Sequence, residues 1–136
     1  MNRDYLLSIV ILTMNRKDQV IEALDSCMAS RLPDDTEFVI VDNHSNDGTG
    51  EIVKSYIEKH PSYDFQYEYE EKNLGVGGGR ARAFELTHGK YLYFLDDDAV
   101  ISNECTEIFF MNSIAYLEKN KNVASITTKI IDTTFK

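Results

Sequence analysis

Apolar residues in this chain gather into short unbroken blocks, separated by stretches in which they recur every three or four positions. The block Leu6–Leu12 is continuous, partly β-branched and too short for a helix, which predicts a strand covered on both faces. Past the polar TMNRKD, Val20, Ile21, Leu24, Cys27 and Met28 fall at helical spacing, and the pattern closes before Pro33. The unit then repeats. Phe38–Val41 is a second buried block, DNHSNDGTG a polar turn, and Ile52, Val53, Tyr56 and Ile57 mark a helix ending at His60-Pro61. Phe65, Tyr67 and Tyr69 alternate with polar neighbours, as a half-exposed strand near a sheet edge does. The glycine-rich NLGVGGG reads as a loop leading into a helix through Ala81, Ala83, Phe84 and Leu86 that stops at Gly89. KYLYFL supplies a fourth strand, buried in the sheet. Residues 103–119 predict a helix with Ile108, Phe109 and Ala115 inward, and a last strand is expected near Val123–Ile131.

Strands alternating with helices predict an α/β fold, a mostly parallel sheet with helices on both faces. Its 136 residues set a single domain, 1–136, with one core. Ligands of such sheets bind beyond the carboxyl ends of the strands, where the strand order switches. The polar sets TMNR, DNHSND and DDD each follow a strand directly, so all three are expected on that edge. A net charge of −9 disfavours nucleic acid, whose phosphates call for many Lys and Arg. Cys27 and Cys105 show no metal or redox spacing and read as two reduced thiols of a cytoplasmic protein. The apolar run at the N-terminus is a strand rather than a signal peptide, and no segment reaches the roughly 20 apolar residues of a membrane helix.

Three stretches carry candidate chemistry. In DNHSNDGTGEIVK a calcium loop fails, because Lys54 stands where the bidentate Glu is required. Asp47 or Thr49 is expected to cap the following helix, whereas Asp42, at the strand tip, is placed to accept hydrogen bonds from a ligand. GVGGGRA lacks the third glycine of a dinucleotide fingerprint and follows the third strand rather than the first. Two readings remain, a flexible turn or, favoured by the arginines, a loop and helix N-terminus bringing backbone N–H groups and Arg80 to a phosphate; Arg82, two positions along, points off that face and fits a solvated residue at least as well. Asp96, Asp97 and Asp98 are the sharpest signal. Adjacent carboxylates repel by roughly 1 kcal/mol per close pair in water and about 4 at an effective dielectric of 20, so a bound divalent cation is the expected compensation. Mg²⁺ is commonly held by one or two carboxylates plus substrate phosphates, and no histidine at zinc spacing joins the set.

SIVILTMNR, FVIVDNHSNDGT, NLGVGGGRARAFE and YLYFLDDDAV, in this order and at these separations, resemble the nucleotide-sugar-binding half of a family 2 glycosyltransferase of the GT-A fold, a Rossmann-like nucleotide-diphospho-sugar transferase architecture. The resemblance runs from Ser8 to about Ile131. It implies that Thr13, Asn15 and Arg16 border the nucleoside, that Asp42 pairs with a uracil or thymine base with Asn43 beside it, and that Arg80 faces the donor. The triplet matches the D-x-D element, in which one acid holds the ribose and the last binds Mn²⁺ or Mg²⁺. Asp98 is the metal ligand in either register, and Asp96 and Asp97 compete for the ribose. An extended strand puts Asp96 and Asp98 on one face, which favours that pair unless the chain turns at once.

The same resemblance implies transfer of a sugar from a UDP- or dTDP-linked donor to a hydroxyl of a glycan or lipid-linked acceptor, with inversion. Association with the inner face of a membrane would follow from a lipid acceptor. The catalytic base lies beyond the D-x-D element in relatives, so Glu104, Glu107 and Asp132 are not assigned that role, and the chain reads as the donor-binding half of a longer enzyme. A non-catalytic nucleotide-binding module of the same fold is the alternative. A sugar-phosphate nucleotidyltransferase ranks last, because TMNRKD has no glycine.

Overall fold

The computed structural model describes residues 4–132. The elements run β1 (Tyr5–Thr13), α1 (Lys17–Met28), β2 (Thr36–Asp42), α2 (Thr49–Lys59), β3 (Asp64–Tyr69), α3 (Gly75–Leu86), β4 (Gly89–Asp96) and α4 (Phe109–Lys119). The four strands form one parallel sheet in the order β3-β2-β1-β4. The chain moves outward from β1 to β2 and β3, then returns past β1 to add β4. The order therefore switches beside β1, and a crevice opens there at the carboxyl ends of the strands.

The period-two alternation of strand side chains sorts the core into two layers. Leu7, Ile9 and Ile11 of β1 with Phe38 and Ile40 of β2 meet Val20, Leu24 and Cys27 of α1 and Val53 and Tyr56 of α2. Val10, Val39 and Val41 point to the other face, where Ala83 of α3 covers them. β1 and β2 are thus buried on both faces, as their unbroken apolar runs predict, and β3 is the half-buried edge. Burial without a basic neighbour pushes the Cys27 thiol up to about 12, so it stays a protonated core residue.

Several expectations are corrected. β4 is an edge strand among the described residues, and only Leu95 of its apolar run is buried, because no further strand pairs beyond it. The glycine-rich segment is not a loop: Gly75–Gly79 make the first turns of α3. At Gly79 a Cβ would come within 2.5 Å of the Leu12 side chain, so the glycine lets the helix approach β1 closely. Residues 103–108 form turns, and the regular helix starts only at Phe109. The late start rotates the inward face onto Phe110, with Ile114 packed beside the core, and leaves Ile108 and Ala115 exposed. Val123–Ile131 forms no strand; it has no ladder partner, and Ile130 is 90% exposed.

The amino ends of the strands are fastened by a buried acid. Glu37 accepts hydrogen bonds from Ser8 Oγ at 2.6 Å, the His88 backbone N–H at 2.6 Å and Gln66 Nε2 at 3.1 Å. Ser8 Oγ accepts in turn from the Gly89 N–H at 2.8 Å. Gly89 can sit there only without a side chain, because a Cβ would lie 2.5 Å from both the nitrogen and the Oγ of Ser8. Backbone cannot yield as a side chain does, so Gly89→Ala is expected to cost about 1–3 kcal/mol. A lower midpoint in urea unfolding is the check.

Candidate functional site

The register of the sheet assembles the site. Thr13 pairs with Asp42 and Leu12 with Asp96, so the loops after β1, β2 and β4 leave the sheet side by side. All three polar sets meet on this edge. Asn15 takes a left-handed conformation at φ 54°, which Asn tolerates better than most residues. Its N–H donates to Ser45 Oγ at 2.8 Å, and its own Oδ1 accepts from the Asn46 N–H at 2.8 Å, which locks the β1 loop to the β2 loop.

Asp42 is fully buried, and both its oxygens are committed: Oδ1 accepts from the Ser45 N–H at 2.8 Å and Oδ2 from the Tyr67 hydroxyl at 2.7 Å. Burial and this bond push the Tyr67 phenol well above its ordinary value. The pair needs Gly50, where a Cβ would stand 2.6 Å from the Tyr67 oxygen. Neither Tyr67 nor Gly50 is marked by the sequence pattern, since each reads there as an ordinary strand or helix residue. In this conformation the Asp42 carboxylate is covered and holds the loop after β2. Asn43 accepts from the Leu74 N–H at 2.8 Å and donates to Asn73 Oδ1 at 3.0 Å, tying that loop to the start of α3. Asp47 accepts from the N–H and hydroxyl of Thr49 at the opening of α2, and the hydroxyl bond leads in holding its carboxyl below the ordinary range.

The aspartate triplet does not stay extended. β4 ends at Asp96, and a turn closed by the Ala99 N–H on the Asp96 carbonyl at 3.0 Å redirects the next two residues. Asp96 and Asp98 consequently meet different arginines although both line the same cleft. Asp96 receives Arg80 Nη2 at 2.7 Å, whereas Asp97 and Asp98 both face Arg16, whose Nε lies 3.6 Å from Asp97 and whose Nη1 lies 2.8 Å from Asp98. Asp97 is buried, and burial raises its carboxyl above the ordinary value against the opposing pull of Thr13 and Arg16. The Thr13 hydroxyl is buried beside it, close enough to bear on that carboxyl, yet makes no well-aligned hydrogen bond among the described residues. Arg82 is no solvated residue: it binds Glu68 at 2.7 Å, Glu70 at 3.1 Å and Glu85 at 3.3 Å, pinning α3 to β3.

Between β4 and α3 lies a cleft of about 310 Å³ whose floor is Leu12 and whose polar rim is Arg80, Asp96, Asp97 and Asp98. Among the described residues no three His, Cys, Asp or Glu side chains stand so as to cage a metal ion. Asp97 and Asp98 nonetheless present oxygens to one shared positive charge, the Arg16 guanidinium. This donor set fits a hard divalent cation whose remaining ligands arrive with a substrate phosphate, and not a self-contained metal centre. Glu104 and Glu107 are exposed in the turns before α4 and do not join the site.

The family model for glycosyl transferase family 2 matches residues 8–134. A glycosyltransferase of Methanocaldococcus jannaschii is 30% identical over 119 residues, which are 87% of this chain and 39% of its own. Among solved structures, Staphylococcus aureus TarS 1–349 in complex with UDP-GlcNAc superposes with a TM-score of 0.72 and 26% identity over 85% of this chain and 32% of its own. The mannosyltransferase PcManGT of Pyrobaculum calidifontis, in complex with GDP-Man and Mn²⁺, shares the fold with a TM-score of 0.74 at 24% identity, over 82% of this chain and 32% of its own. The chain thus spans between about a third and two fifths of the length of the proteins it matches.

Proposed function

Because the chain belongs to glycosyl transferase family 2, matched over residues 8–134, we propose that it binds a nucleoside-diphosphate sugar in the crevice beyond β1 and β4. It would contribute donor binding to transfer of the sugar onto an acceptor hydroxyl, with inversion and with Mn²⁺ or Mg²⁺. The observation that carries this reading is the convergence of Arg16, Arg80 and the three aspartates at the switch point of the sheet. The structural neighbour crystallised with UDP-GlcNAc supports a UDP-linked donor.

The roles follow from placement. Arg80, in the second turn of α3 and beside the cleft, is positioned to bind the diphosphate, where a guanidinium can engage two phosphate oxygens at once. Asp98 with Asp97 would hold the divalent cation, and Asp96, at the other side of the rim, is left for the ribose hydroxyls. A cation bound there supplies charge neutralisation at the departing diphosphate. Thr13, Asn15 and Asn43 shape the nucleoside side, and Asp42 serves the base subsite by fixing residues 43–46 rather than by contact. The proton of the acceptor hydroxyl needs a carboxylate at the reacting atoms, and none among the described residues outside the triplet faces the cleft.

Calorimetric titration of the chain with UDP, dTDP and GDP, each with and without Mn²⁺, tests the reading. Saturable UDP binding that tightens at least about ten-fold with Mn²⁺ is expected, a difference of about 1.4 kcal/mol. Binding indifferent to the metal would contradict it.

A further inference from the structure

Arg16 occupies an unusual place for a surface arginine. The left-handed turn at Asn15, held by Ser45 and Asn46, swings it off the start of α1 towards a loop 82 residues further along the chain. There it lies against the two carboxylates that the proposed function gives to a divalent cation, while Arg80 takes the third aspartate. Without ligand, two guanidinium ions therefore face three carboxylates, and the triplet keeps a residual charge near −1. The Arg16–Asp98 pair is open to solvent, with side chains 44% and 51% exposed, so it is too weakly held to serve mainly as a fastening of the fold.

We propose that Arg16 is an exchangeable internal cation: it fills the acidic end of the ligand-free site and must leave Asp98 before a divalent ion can bind there, transferring to the diphosphate that arrives with it. The inference rests on the proposed function and adds a coupling to it. A metal ion alone meets a like charge already in place, and a nucleotide alone meets an arginine already engaged. Together each removes the other's obstacle, so each raises the affinity of the other by the same factor. The effect of Arg16 is therefore on binding, and it is visible without any turnover.

The test measures Mn²⁺ binding in the absence of nucleotide, from the electron paramagnetic resonance signal of the free ion, for the wild-type chain, Arg16→Gln and Arg16→Lys. Arg16→Gln is expected to bind Mn²⁺ roughly three- to ten-fold more tightly, because a like charge is gone from the ligand oxygens. Arg16→Lys, which keeps the charge, is expected to stay within about two-fold of the wild type. Calorimetry adds the second reading: Arg16→Gln binds metal-free UDP more weakly, and the mutual enhancement of UDP and Mn²⁺ shrinks. Arg16→Met is an independent charge-free variant, with thermal melts confirming that each protein folds. Unchanged or weaker Mn²⁺ binding by both charge-free variants, with Mn²⁺–UDP still bound, overturns this inference alone. Failure of the wild type itself to bind UDP in the presence of Mn²⁺ overturns the proposed function and this inference with it.

Discussion

Asp98→Ala is expected to weaken Mn²⁺-dependent UDP binding by about a hundred-fold or more, while metal-free UDP binding changes by less than about three-fold. Asp98 is half exposed, and among the described residues its side chain pairs with the equally open Arg16, so removing it leaves no buried group stranded. Surface pairs of this kind contribute about 0–1 kcal/mol, and the variant should melt close to the wild type. The same deletion at Asp97 would not separate the two effects, because that carboxylate is buried beside Thr13. Calorimetry with and without Mn²⁺ checks the prediction. A variant that keeps its metal-dependent enhancement would remove Asp98 from the cation site.

The largest stability effect is expected at the opposite end of the sheet. Glu37→Ala deletes an acceptor that serves Ser8, Gln66 and the His88 backbone at once. Hydrogen bonds to a charged group contribute about 1.5–3 kcal/mol each, and a buried donor left bare costs about 1–3 kcal/mol. A total of about 3 kcal/mol, allowing for partial hydration of the vacated space, corresponds to a fall of about 10 °C in melting temperature. Glu37 and Asp42 stand at opposite ends of β2, about 16 Å apart at strand rise, so the folded variant should retain UDP affinity. Thermal melts followed by circular dichroism, with calorimetry below the transition, measure both. A melting temperature unchanged from the wild type would show that the amino-end fastening is not what holds β4 to β1.

Much of the fold was legible because one physical signal decided it. The unbroken runs at Leu6–Leu12 and Phe38–Val41 could be satisfied only by strands with both faces covered, and α1 and α2 repeat their apolar positions at helical spacing. The errors lie where pattern and partner part company. Tyr91–Phe94 reads like a central strand, yet central position depends on a neighbour that apolar content does not encode. Glycine at 75, 77, 78 and 79 argues for a loop on propensity, but packing on Leu12 rewards a helix with no side chain at 79.

The site divides the same way. Its location could be read because three polar sets each follow a strand directly, and a parallel sheet gathers such ends on one edge. The internal wiring could not. Tyr67 reaches Asp42 across 25 residues and His88 reaches Glu37 across 51, through register and turns that one sequence leaves open. Whether three consecutive aspartates point alternately or turn together follows from a turn, closed by Ala99 on the Asp96 carbonyl, and from two arginines distant in sequence.

The proposed function places a nucleoside-diphosphate sugar in the crevice beside β1. Backbone amide shifts of the ¹⁵N-labelled chain, followed by NMR while UDP-sugar is added in the presence of Mg²⁺, test it most directly. Saturable shifts are expected at residues 13–16, 43–46, 75–80 and 96–98, with the amino-end cluster around Glu37 and His88 undisturbed. Shifts centred elsewhere, or none that saturate, would contradict it.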